Sequence, residues 1–240
     1  MVIFFDLDDT LLDEQAAQEW YLEQLYAAWC QELPHEAHAF RAAWRAALAR
    51  HFERQLRGEI TQAEQRRARM RDVFGRPDMP DAEADARIAE FVPVYESSWR
   101  LFDDVLPTLD ALARHPLGII TNGTEAQQRA KLERMGILDR FAVVVTSQAA
   151  GVAKPLPAIF HHAAARTGSP AGVCLHVGDD LHRDVAGALA AGMRPVWLDR
   201  GRTTSMRPVA GVAPEGVATI RSLLELPELL GAIEARVGPG

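Results

Sequence analysis

Asp6 and Asp8 stand two residues apart at the end of a short apolar run, Val2 to Phe5. In extended backbone that spacing turns both side chains to one side, so the two carboxylates can share a ligand. Acids a few ångströms apart repel unless a cation sits between them or one holds a proton, and either state equips the pair for catalysis. Alone, they would also suit a polar strand end leading into a turn, with Asp13 capping the next helix. Three further clusters bear on the choice. Thr121-Asn122-Gly123 follows an apolar run and precedes a helix, gathering a hydroxyl and free backbone N–H groups into a cradle for an anion, although Thr and Asn are also ordinary helix caps. Lys154 is fixed just before Pro155 and a new helix, where a lysine is commonly just solvated. Gly178-Asp179-Asp180, with Asp184 a helical turn further on, offers the hard oxygen donors that suit magnesium.

The elements that must position these clusters are legible in the apolar runs. Val2 to Phe5 reads as a strand buried on both faces of a parallel sheet, and such a strand is expected to be central. Runs at Leu117 to Ile120, Ala142 to Thr146, Val173 to Val177, Pro195 to Leu198 and Val217 to Ile220 read as further strands. They alternate with helical patterns through Leu106 to Leu112, Glu125 to Met135, Pro157 to Arg166, Val185 to Ala191 and Ser222 to about Arg236. The alternation predicts an α/β fold with a doubly wound, mostly parallel sheet and helices on both faces. Between Asp13 and Trp99 the pattern is helical only, with Trp20, Leu22, Leu25, Tyr26 and Trp29, then Phe40, Trp44, Leu48 and Phe52, at three- and four-residue spacings. Three or four helices are expected there, broken near Pro34, at Gly58 with Thr61 as an N-cap, and at Gly75 to Pro80. The expected organisation is a core domain of residues 1–13 and 100–240 and a helical insert of residues 14–99. An insert that leaves directly after a strand end carrying chemistry is expected to lie over the site as a cap. Gly201 to Gly216 reads as an irregular loop and Gly238 to Gly240 as a frayed tail.

Composition narrows the partners. The 240 residues carry a formal charge of −7, from 26 basic and 33 acidic residues, with no basic block. That argues against a nucleic-acid polymer, and a small anionic ligand would then need a metal or local cations. Cys30 and Cys174 lie in apolar surroundings, which suits reduced thiols rather than a disulfide or a zinc site. No signal peptide precedes the first strand and no run reaches the ~18 apolar residues of a membrane span, so a soluble cytoplasmic protein is expected. No feature sets an oligomeric state.

Asp6 to Thr10 (DLDDT), Thr121 to Gly123, Lys154-Pro155 and Gly178 to Asp184 (GDDLHRD) resemble, in order and spacing, the four motifs of the haloacid dehalogenase-like (HAD) hydrolase superfamily. The resemblance covers nearly the whole chain and implies a Rossmann-like core. The insert looks like the cap of subfamily I, and Thr121-Asn122-Gly123 followed by Gln128, Lys131 and Leu132 is similar to the branch of pyrimidine nucleotidases and N-acylneuraminate 9-phosphatases. By this resemblance Asp6 would be a nucleophile that forms an aspartyl phosphate, and Asp8 a general acid and base. Magnesium would be held by the Asp6 carboxylate, the Asp8 carbonyl and Asp179, with Asp184 in support. Thr121, the Asn122 N–H and Lys154 would hold phosphoryl oxygens, while Asp9 and Asp180 would cap or orient. His176 and His182 read as core or surface residues. The expected activity is magnesium-dependent hydrolysis of a small phosphate monoester, a nucleoside monophosphate or sugar phosphate. The rival readings are 2-haloacid dehalogenation, for which Asp8 has no use, phosphomutase activity, and phosphate binding without turnover.

Overall fold

The computed structural model describes residues 1–202 and 212–237; residues 203–211 of the expected loop and the 238–240 tail lie outside them. The described chain forms two compact units. One comprises Met1–Asp13 with residues 101–202 and 212–237, and the other is Glu14–Arg100.

The first unit is built on a six-stranded parallel sheet. In chain order its strands are β1 (Val2–Phe5), β2 (Leu117–Thr121), β3 (Val143–Thr146), β4 (Cys174–Gly178), β5 (Arg194–Leu198) and β6 (Ala218–Ile220). Their spatial order is β3-β2-β1-β4-β5-β6. Every residue of β1 is buried, and the strand pairs with β2 through Phe4↔Gly118 and with β4 through Phe5↔Val177. It is therefore central, as its unbroken apolar run requires. Gly118 has a packing reason: a Cβ there would lie 2.6 Å from the Phe4 ring and 2.9 Å from Val143. The chain winds outward from β1 to β3 on one side, then returns to add β4, β5 and β6 on the other. The direction of winding thus switches between β1 and β4, where the carboxyl ends of an open sheet leave a crevice for a ligand. Phe4, Ile120, Val145, Ile159 and Phe160 pack the core beside the sheet.

Helices α5 (Val105–Ala111), α6 (Glu125–Arg134), α7 (Ser147–Ala150), α8 (Pro157–Arg166), α9 (Gly187–Ala190) and α10 (Leu226–Val237) connect and flank the strands. Two details depart from the sequence expectation. The short α7 after β3 was not expected, and the helix expected at Val185 to Ala191 begins instead as a π-helical turn, Leu181–Ala186, before α9. In that turn the Asp180 carbonyl accepts from both Asp184 N and Val185 N, at 2.9 and 3.2 Å. The widened turn shifts side chains relative to an α-helical phase, and such turns are frequent at functional sites.

The second unit holds four helices, which we number α1 (Glu14–Trp29), α2 (Ala37–Leu56), α3 (Gln62–Val73) and α4 (Asp81–Ser97). Thr61 and Glu64 close a capping box at the start of α3. Tyr21, Trp29, Phe40, Trp44 and Phe91 are buried, with Trp44 and Phe91 ring centroids 5.1 Å apart, so the aromatic spacing is that of a packed core. Trp20 is the exception at 39% exposed. The buried face of α1 runs through Ala17, Tyr21, Leu25 and Trp29, and Trp20 falls one position out of that phase.

Candidate active site

The polar strand ends come together at the switch point. Asp6 follows β1 directly, and its N–H donates to the Val177 carbonyl at 2.9 Å, extending the β1 to β4 ladder by one residue. The chain then turns sharply: Leu11 N and Leu12 N both donate to the Leu7 carbonyl, and Asp9 takes a left-handed φ of 61°, a conformation Asp tolerates better than most residues. Asp179 and Asp184 arrive from the end of β4 and the π turn, and Lys154 from the loop between α7 and α8.

Lys154 is the hub of the first cluster. Its Nζ donates to Asp6 Oδ1 and to Asp184 Oδ1, each at 2.6 Å, and all three side chains are buried. Asp184 is held from three sides: His176 Nε2 lies 3.0 Å from its Oδ1 and Asp180 N donates to its Oδ2 at 3.1 Å. A Cβ at position 178 would lie 2.3 Å from Asp184 Cγ, so only glycine leaves room for this carboxylate. Asp179 accepts from Thr10 Oγ1 at 3.5 Å, and its backbone carbonyl accepts from the Trp197 indole at 2.8 Å. Asp6, Asp179 and Asp184 each offer an oxygen within 4.8 Å of the others.

Three buried acids face one ammonium, and their titration follows from that imbalance. Burial pushes the Asp6 carboxyl from 3.8 up to about 7, against the pull of Lys154 and with help from Asp184 and Asp8. Burial likewise raises Asp179 well above the usual range, reinforced by Asp9, Asp184 and Asp6. Asp184 resists burial and stays below the usual range, because Lys154 and the His176 bond stabilise its charge. Lys154 is held above its ordinary value by Asp184 and Asp6 despite burial. The shared lysine thus satisfies Asp184 first and leaves Asp6 and Asp179 short of positive charge. That shortage, met with hard oxygen donors, fits a divalent cation such as magnesium.

A second cluster surrounds Asp8. Lys131 Nζ, almost fully buried, lies 2.5 Å from Asp8 Oδ1, and Gln128 Nε2 donates to Asp8 Oδ2 at 3.1 Å. The same Gln128 nitrogen lies 2.6 Å from Thr121 Oγ1 and 3.3 Å from the Asn122 carbonyl. Asn122 ties two loops together: its Nδ2 donates to the Lys154 carbonyl at 3.1 Å and its Oδ1 accepts from Lys154 N at 2.9 Å.

Among the expected site residues, then, Asp6, Asp179, Asp184 and Lys154 form one cluster, while Asp8, Thr121 and Asn122 are linked through Gln128. Asp180 turns away to cap its own turn, accepting from His182 N and Arg183 N at 2.8 Å each. His182 is exposed, and His176 is a core residue that also touches the site. In the sequence Gln128 and Lys131 mark a branch of the superfamily and carry no assigned role. Their spacing of three on α6, directly after Thr121-Asn122-Gly123, places them on one helical face, and that was the available signal.

A doubly wound parallel sheet with polar strand ends converging at its switch point, and a helical unit inserted after the first strand, defines a Rossmann-like α/β protein with an inserted domain. More narrowly, the chain belongs to the haloacid dehalogenase-like hydrolase family, whose sequence profile matches residues 1–192. It is 40% identical over 118 residues to a pyrimidine 5'-nucleotidase of Escherichia coli (strain K12); the match spans 48% of this chain and 49% of that protein, about half its length. It is 32% identical over 216 residues to a glyceraldehyde 3-phosphate phosphatase of Methanopyrus kandleri, over 86% of this chain and 87% of the relative. A 2-haloacid dehalogenase structure from Pseudomonas syringae is 28% identical with a TM-score of 0.71, covering 97% of this chain and 99% of that one. No helix among the described residues is long and apolar enough to cross a membrane.

Proposed function

We propose that this chain is a phosphatase that hydrolyses a small phosphate monoester through an aspartyl-phosphate intermediate, with magnesium as its metal. The observation that carries the reading is Asp8: a carboxylate fixed by Lys131 and Gln128 is suited to proton transfer at a leaving oxygen. Lys154 engages Asp6 Oδ1, which leaves the other oxygen to attack phosphorus. A bond forms from that oxygen to phosphorus as the bond from phosphorus to the ester oxygen breaks, and Asp8, which enters this step as the protonated acid, gives its proton to the departing oxygen and is left as the carboxylate. Asp8 then takes a proton from the water that attacks the aspartyl phosphate, which releases inorganic phosphate and restores Asp6. Thr121 Oγ1 accepts from Gln128, so its own hydrogen is free to reach a phosphoryl oxygen, beside the Asn122 N–H and the Lys154 ammonium. Magnesium, held by Asp6, the Asp8 carbonyl and Asp179 with Asp184 in support, supplies the double charge that lets these acids coexist with a phosphate dianion.

In this reading residues 14–99 act as the cap and the partner is a small phosphorylated metabolite, a nucleoside monophosphate or a sugar phosphate, in keeping with the names of the two relatives. The free thiols of Cys30 and Cys174 suit a cytoplasmic setting. Dehalogenation is the second reading, favoured by the Pseudomonas structure. The test is a panel of nucleoside and sugar phosphates assayed with magnesium, beside halide release from 2-chloropropionate. Phosphate release that stops on exhaustive chelation is expected. Halide release of comparable rate would overturn the phosphatase reading, and full activity after chelation would overturn the metal.

A further inference from the structure

Arg200, two residues beyond the end of β5, belongs to the sheet unit and has no part in the chemistry described above. Its guanidinium forks onto Asp104, with Nη1 donating to Oδ2 at 2.9 Å and Nη2 to Oδ1 at 3.0 Å, and its central carbon lies 3.7 Å from the Phe102 ring centroid. The same Nη2 also donates to the backbone carbonyl of Thr10 at 2.9 Å. Asp104 in turn accepts from Ser222 Oγ at 2.8 Å and from Leu223 N at 2.9 Å.

Every member of this cluster is held from more than one side. Asp104 immediately precedes α5, and Ser222 and Leu223 open the turn that leads into α10, so two helices fix the carboxylate. The carboxylate and an aromatic face then fix the guanidinium. Burial works against the charge of Asp104, but the Arg200 fork and the bonds from Leu223 and Ser222 outweigh it and hold the carboxyl below the usual range. With side chains only 11% and 10% exposed, such a pair is a poor device for stability alone, because taking both charges out of water costs much of what their attraction returns. Its use is geometric: a planar fork locked onto its partner presents its remaining N–H in one direction.

That N–H goes to the turn after β1. Bonds inside the turn set its shape, with Leu11 N and Leu12 N on the Leu7 carbonyl and Asp9 N on the Leu12 carbonyl at 2.8 Å. They do not set where the turn sits against β4. Asp6 N ties one end of it to the Val177 carbonyl, Phe102 N donates to the Leu11 carbonyl at 3.1 Å, and Arg200 holds it at Thr10. Thr10 is fully buried, and its hydroxyl lies 3.5 Å from Asp179 Oδ1, at the limit of a hydrogen bond. A small displacement of the turn therefore ends that contact.

We propose that Arg200 is a positioning residue for the acid cluster: through the Thr10 carbonyl it keeps the Thr10 hydroxyl on Asp179 and fixes the turn that carries Asp8. Resting on the phosphatase reading, the property it sets is affinity for magnesium, because Asp179 and the Asp8 carbonyl are ligands in that reading.

Calorimetric titration of the full-length protein with magnesium chloride tests this. Arg200→Gln should weaken binding by about tenfold or more, and Arg200→Lys, which keeps the charge without the fork, by less. Ser222→Ala removes a different bond to Asp104 without touching Thr10, so it should lower Tm and leave the affinity as in the wild type. A purely structural Arg200 would behave in the same way as Ser222. A second arm needs no metal. In a double-mutant cycle on the metal-free protein, Arg200→Gln is combined with Thr10→Val, which removes the hydroxyl and keeps the carbonyl. Together they should lower Tm by less than the sum of their separate effects. If the wild type binds no magnesium, the metal assignment fails while this cycle still decides whether Arg200 acts through Thr10. Wild-type affinity in Arg200→Gln, an equal loss of affinity in Ser222→Ala, or Tm shifts that simply add would overturn the proposal.

Discussion

Asp8 is where phosphate and halide chemistry part. Phosphate monoesters expel a poor alkoxide leaving group, for which a positioned acid is worth about 10² to 10⁴ in rate, whereas halide departs without a proton. Asp8→Ala should therefore cripple hydrolysis of alkyl phosphates while p-nitrophenyl phosphate, whose phenolate leaves unaided, loses less in single-turnover phosphorylation. Equal losses on both esters would remove Asp8 as the acid. Asp6 and Asp179 yield a pH prediction. With its carboxyl raised from 3.8 to about 7, Asp6 binds more protons folded than unfolded and weakens the metal-free fold as pH rises from about 4 to about 7, and Asp179, also raised, acts in the same direction. Asp184, held low, contributes stability that is present above about pH 4 and lost as pH falls below it. Magnesium must displace the protons on Asp6 and Asp179, so the rise in Tm on adding it should grow between about pH 5 and about pH 8. A pH-independent rise would exclude both as ligands. Asp6 and Asp179 could be expected from sequence because each directly follows an apolar run, and Asp184 because it falls about a turn further on, whereas Lys154, in the loop between α7 and α8, stood out through the order of the motifs. The grip of Gln128 and Lys131 on Asp8 could not, because it depends on how α6 is rotated against the loop after β1.

The joint of β4 with the π turn governs where Asp184 points. Gly178→Ala would set a Cβ 2.3 Å from Asp184 Cγ, and a clash within a packed site costs about 1–3 kcal/mol and displaces the softer partner. The expected result is a folded protein with turnover reduced at least about tenfold and most of the magnesium-induced Tm rise gone. A variant with both intact would show that Asp184 can leave its bonds to Lys154 and His176 without consequence. Strands were legible from uninterrupted apolar runs such as Val2 to Phe5, and helix ends from Gly58 and Thr61. The π turn was not, since Val185, Ala188 and Ala191 keep helical spacing whether the preceding turn is α or π. Trp20 misled for a related reason: spacings of three and four admit two helical phases, and only packing selects the one led by Tyr21.

Each unit has a core of its own, one aliphatic around the sheet and one aromatic among four helices. Calorimetry should accordingly resolve two transitions, only one of which magnesium raises. Four of the five tryptophans, Trp20, Trp29, Trp44 and Trp99, belong to the helical unit, so tryptophan emission should follow mainly the transition that magnesium leaves in place. A single peak that moves as a whole would mean the units unfold together. The fifth tryptophan stands apart. The indole of Trp197 is bonded to the backbone carbonyl of Asp179, one bond network away from the acids that would receive the ion. The protein therefore carries its own optical gauge of metal occupancy: a small emission change on titrating magnesium at a temperature where both units are folded, absent in Trp197→Phe, would give the ion's affinity without a substrate, a dye or a label.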